Sequence, residues 1–100
     1  MKYFFVEGIL KKSPPIPENI MQDHINYSKK AMDNGLILMT ATKSDMSGPF
    51  FIMKSKSFNE INDYLSCEPL NLNDIQDYKI TEFKTHYFNK SIDTWFIEEN

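Results

Sequence analysis

One segment constrains this chain more than any other: residues 17–35, a helix with one apolar side set between strand-like runs. Pro17 or Glu18 falls in its first turn, where a missing N–H costs nothing and a carboxylate meets the positive end of the helix dipole. Asn34-Gly35 stops it, since glycine takes the left-handed cap conformation without a Cβ clash. Ile20, His24, Tyr27 and Ala31 recur at spacings of four, three and four, with Met21, Ile25, Ser28 and Met32 beside them. That period belongs to a helix packed on one side, and it places His24 in or at the rim of the apolar stripe.

The segments around this helix sort by the same local rules. Lys2 to Leu10 is aromatic and β-branched and reads as a first strand. Lys11-Lys12-Ser13-Pro14-Pro15 ends it and forces an extended loop. Leu36 to Thr42 is a second strand, Lys43 to Gly48 a polar turn, and Pro49 to Lys54 a third strand forming an antiparallel hairpin with the second. Ser57-Phe58-Asn59-Glu60 is a capping box that opens a short second helix with Phe58, Ile61, Tyr64 and Leu65 on one face, stopping before Pro69. Leu70 to Asp77 reads as irregular or a single helical turn, and Tyr78 to Phe83 alternates as a fourth strand.

Strand, helix, strand, strand, helix, strand is the order of two split βαβ units. It predicts an α+β, ferredoxin-like βαββαβ fold: a four-stranded antiparallel sheet with both helices on one face. The aromatic strands leave the other face apolar. A homodimer that closes two sheets into a dimeric α/β barrel would cover it. One domain spans residues 1–100, with a core of about 1–84. The tail, 85–100, carries Tyr87, Phe88, Ile92, Trp95, Phe96 and Ile97, and is expected to pack on the body or on a partner subunit.

Composition narrows the function classes. Eleven Lys+Arg against fourteen Asp+Glu give a net charge of −3, with no basic face for nucleic acid. Every strong cation is lysine; without arginine's planar fork, phosphate chemistry is disfavoured. Cys67 stands alone, so neither an internal disulfide nor a cysteine-rich zinc site can form. His24 and His86 are too far apart in sequence for a local metal motif. No signal-peptide pattern or membrane-length apolar run is present, and a cytoplasmic protein without metal or cofactor is expected.

His24 reads two ways: as a core-edge histidine held by backbone or water, or as a proton carrier lining a pocket between helix and sheet. In the second reading it needs an orienting carboxylate. Asp33 lies half a turn out of phase and roughly 13 Å along the same helix. Asp23 and Glu18 point elsewhere. Asp45 and Glu68 are free of that constraint, and Asp45 is taken as the partner. Glu7 either faces the dimer cleft or marks the end of its strand. Ser47-Gly48 offers backbone N–H groups to an anion. Glu7, Ser47, Gly48 and Glu68 are therefore assigned to substrate binding. Cys67 is read as structural, because an adjacent acid works against a reactive thiolate. His86 is read as structural or interfacial.

Met1 to Val6, the helix with His24 ending in Asn34-Gly35-Leu36, the loop Asp45-Met46-Ser47-Gly48 and the corner Cys67-Glu68-Pro69-Leu70 together resemble the YciI-like (YCII-related) proteins over about residues 1–84. The resemblance implies a ferredoxin-like fold, a dimeric α/β barrel similar to muconolactone isomerases, and small lactone-processing activity. It implies an active-site histidine at His24 with Asp45 as its acid. Three positions depart from the family pattern: Ile20-Met21 replaces a frequent arginine, Ala41-Thr42 a Gly-Pro, and Glu68-Pro69 an Asp-Pro. The expectation is a cofactor-free isomerase or lyase acting on a small carboxylate or lactone through a His24–Asp45 pair. The alternative is a non-catalytic dimer that binds a small acidic or aromatic ligand or serves a structural role.

Overall fold

A computed structural model describes residues 1–11 and 15–97. Lys12, Ser13 and Pro14 of the expected loop, and the last three residues of the tail, lie outside the described residues. The elements run β1 (Lys2–Leu10), α1 (Glu18–Asp33), β2 (Ile37–Thr42), β3 (Pro49–Ser55), α2 (Phe58–Ser66), α3 (Pro69–Leu72) and β4 (Gln76–Phe83). The strands form one antiparallel sheet in the order β2-β3-β1-β4, the α+β ferredoxin-like arrangement expected from the element order. No described helix is long and apolar enough to cross a membrane.

The ends of the helices follow local chemistry. Pro17 precedes the first helical residue of α1 and offers no side-chain cap, while Glu18 stands in the first turn. At the other end Gly35 has φ +77°, and the Leu36 N–H donates to the Ala31 carbonyl while that of Gly35 donates to Met32. These two bonds make a Schellman cap and turn the chain straight into β2. Ser57 caps α2 by accepting from the Glu60 N–H. The segment after Pro69 is a single helical turn, α3, and β4 begins two residues earlier than the apolar pattern shows, at Gln76.

The core lies between the sheet and the helices. Phe4 and Val6 of β1, Phe51 and Met53 of β3 and Ile37 of β2 pack against Ala31 of α1 and Ile61 and Leu65 of α2. Side chains alternate along a strand, so Tyr3, Phe5, Glu7 and Ile9 of β1 face the opposite side. Cross-strand register adds Phe83 from β4, Phe50 and Ile52 from β3, and Met39 and Ala41 from β2 to that face. The rings of Phe5 and Phe50 lie 5.3 Å apart and those of Tyr3 and Phe83 6.2 Å apart. Beyond β4, residues 84–97 are exposed throughout: Tyr87 keeps 96% of its surface and Trp95 63%. The described part of the tail is therefore not buried on the body of its own chain.

The β2–β3 loop lies across β1. Lys43 and Gly48 close it with a backbone bond, and the Leu10 N–H donates to the Ser47 carbonyl. Gly48 has φ +144°, and a Cβ there would stand 2.3 Å from the Gly8 carbonyl oxygen. Gly35 has open space around it. Gly48→Ala is expected to destabilise the fold by about 3 kcal/mol, combining backbone strain with a backbone clash. Gly35→Ala should cost about 1 kcal/mol, the left-handed penalty alone. Urea midpoints of the two variants check the ordering.

Candidate active site

α1 presents His24 on its inward side, seven residues before the buried Ala31. Against it stands the start of α3, where Glu68 is the N-cap and its side chain accepts from the Leu70 N–H at 3.1 Å. Pro69 fits the first helical position because it has no N–H to satisfy. Nδ1 of His24 lies 2.5 Å from Oε1 of Glu68. The His24 side chain is 17% exposed and Glu68 only 1%.

A carboxylate so deeply buried requires donors on both oxygens. Oε2 accepts from the Tyr78 hydroxyl as well as from Leu70. Gln76 Nε2 donates to the Tyr78 oxygen at 3.0 Å. The directions agree along the chain: the single hydroxyl proton of Tyr78 goes to Glu68, so the amide of Gln76 must donate. A carboxylate is acceptor-only, so the hydrogen bond is drawn with an N–H at Nδ1 of His24 donating to Glu68. In that tautomer the ring's lone pair is on Nε2, which has no hydrogen-bond partner among the described residues. A carboxylate-oriented imidazole with its second nitrogen unengaged can take up and return a proton.

Tyr27 and Tyr64 stack beside this pair with centroids 4.6 Å apart, and the Tyr27 hydroxyl donates to the Tyr64 carbonyl. Burial pushes the hydroxyl pKa of Tyr64 upward, with the charges of Tyr27 and Glu68 adding to it. Burial likewise raises Tyr27, reinforced by Cys67 and Glu68. Tyr78 is driven above its ordinary value first by burial and then by its hydrogen bond to Glu68. All three hydroxyls remain neutral at physiological pH, and those of Tyr27 and Tyr78 donate.

The other sequence-assigned residues stand elsewhere. Asp45 is not the partner of His24. Its carboxylate accepts from the Ser47 hydroxyl at 2.6 Å and the Ser47 N–H at 3.0 Å, and these bonds hold it below the usual carboxylate range. The N–H of Ser47, expected to hold an anion, is thus engaged by its own turn. Gly48 is buried against Gly8. Glu7 accepts from Lys43 Nζ at 3.1 Å on the sheet face opposite the helices. Of the assigned set, Glu68 is the residue that meets His24, while Asp45 and Ser47 bond to each other in their own turn. Sequence reasoning missed Tyr78 and Gln76 as members of the site. Their two-residue spacing puts them on one face of β4, a signal lost when the strand is started at Tyr78. Among the described residues, no group of three His, Cys, Asp or Glu side chains could hold a metal ion.

No family model and no curated protein sequence matches the chain. Among solved structures, it is similar to 5-chloro-2-hydroxyhydroquinone dehydrochlorinase (TftG) from Burkholderia phenoliruptrix AC1100, in complex with 2,5-dihydroxybenzoquinone. The TM-score is 0.62 at 15% identity, covering 84% of this chain and 95% of that one. The likeness shows that the two share a fold.

The raised pKa of Tyr78 fixes a sign. A folded state that favours the neutral hydroxyl has that contribution in full below the ordinary tyrosine value of 10.0 and loses it as the pH rises beyond. Stability should fall above pH 10, and more shallowly in Tyr78→Phe, although Tyr27 and Tyr64 keep part of the slope. Denaturant titrations at neutral pH and at increasing alkaline pH measure the difference.

Proposed function

We propose that this chain is a small-molecule enzyme, an isomerase or lyase without a cofactor, in which His24 moves the proton and Glu68 orients it. The observation that carries this reading is the 2.5 Å contact between Nδ1 and a nearly fully buried carboxylate, with Nε2 left as the base. Nε2 accepts a proton from a carbon beside a carbonyl, and Glu68 stabilises the imidazolium that forms. The proton then returns to a different carbon, in an isomerase, or to the departing group, in a lyase. Small carboxylates and lactones are the substrate class. Its similarity to TftG, a dehydrochlorinase bound to a hydroxylated quinone, favours small, ring-shaped, oxygen-rich molecules.

A screen of lactones, small unsaturated acids and hydroxylated quinols tests the reading. His24→Ala should reduce turnover by about 10²–10⁴-fold. Glu68→Gln should reduce it in the same direction, and Asp45→Asn should leave it unchanged. Turnover that survives His24→Ala sinks the mechanism, and ligand binding without any turnover favours a binding protein.

The working form in this proposal is a homodimer. The face bearing Tyr3, Phe5, Ile9, Phe50, Ile52 and Phe83 has no helix over it, and a second copy would cover it and the apolar tail. Sedimentation should give twice the monomer mass for the wild type. Ile52→Lys, which places a charge in the middle of that face, should give the monomer.

A further inference from the structure

The geometry around Glu68 is unequal at its two oxygens. Oε2 accepts from both the Tyr78 hydroxyl and the Leu70 N–H, whereas Oε1 meets only Nδ1 of His24. The last torsion of a glutamate is broad and roughly two-fold, so a carboxyl plane is fixed by its partners rather than by its rotamer. Leu70 alone gives one point of attachment, about which the group can turn. Tyr78 adds a second, from β4.

Tyr78 is itself held. Gln76, with none of its surface exposed, donates to its hydroxyl oxygen, and the Gln76 carbonyl accepts from Asn71 Nδ2. Room for the Gln76 side chain comes from β1. Gly8 lies directly opposite Tyr78, and a Cβ on it would stand 2.9 Å from Gln76 Cδ and 2.8 Å from Pro49 Cδ. Tyr27 and Tyr64 lie close enough for the Glu68 charge to raise their hydroxyls, and neither makes a hydrogen bond to it.

We infer that Tyr78, braced by Gln76 in the space left at Gly8, is a positioning residue that fixes the carboxyl plane of Glu68 and through it the tautomer of His24. Tyr78 does not touch the reacting nitrogen. It acts by keeping Oε1 aimed at Nδ1, so that Nε2 is always the bare base. The inference rests on the His24–Glu68 reading above and adds to it a third element of the fold, β4, as part of the machinery.

The tautomer can be read directly from long-range nitrogen–proton NMR correlations of the His24 ring, at a pH where the imidazole is neutral. The wild type should show the proton on Nδ1. Tyr78→Phe should shift most of the population towards the Nε2-protonated form that a free imidazole prefers. Gln76→Met, which leaves the Tyr78 hydroxyl but removes its brace, should shift it in the same direction by less. A backbone spectrum certifies that each variant is folded, and the comparison with wild type uses whichever variant holds its fold. A wild-type ring protonated on Nε2 would overturn the His24–Glu68 reading itself. A wild-type ring protonated on Nδ1 that stays so in the folded variants would overturn the positioning role alone.

Discussion

A carboxylate out of contact with water governs how this domain is put together. Glu68 is 1% exposed, and an unaccompanied charge there would cost several kcal/mol. Its partners come from α1 (His24), α3 (Leu70) and β4 (Tyr78), so satisfying one side chain fixes the relative placement of three elements. The same bonds that make burial tolerable give the histidine its orientation. Stability and the orientation of His24 therefore draw on one set of contacts.

Elements were legible in the sequence because their signals are local. The Gly35 cap, the Ser57 N-cap and Pro69 each act within a few residues and appear where the sequence places them, although the Ser57 N–H goes to Ser55 Oγ and not to Glu60 as a full capping box would have it. The identity of His24's acid was harder, because Asp45 and Glu68 are both free to reach it by sequence distance. What separates them is a competing local partner. Asp45 is two residues before Ser47, the spacing at which an aspartate side chain closes its own turn, and it does so here. Glu68 has a proline after it and so sits as a helix cap, with one oxygen still to offer. The roles of Gln76 and Tyr78 depend on a strand start that carries no apolar marker.

The two faces of the sheet illustrate a different limit. Alternation along β1 and β3 shows which residues share a side, but both sides are aromatic, so hydrophobicity alone does not say which receives the helices. Phe4, Val6, Phe51 and Met53 are the covered set. The tail shows the converse case. Its composition matches a buried segment, yet its described residues stay outside the core of their own chain.

Gly8 and Gly48 have a consequence for how a protein of this kind can vary. The loop between β2 and β3 rests on the Gly8 backbone through Gly48, and Gly8 in turn gives Gln76 its space. Exposed hairpin loops are ordinarily where sequences drift and lengthen most freely. Here the hairpin's last residues are stitched to the strand that leaves Gln76 its space. An insertion at the closing Ser47-Gly48 step would press on the Gly8 backbone, and through it on the space that Gln76 fills.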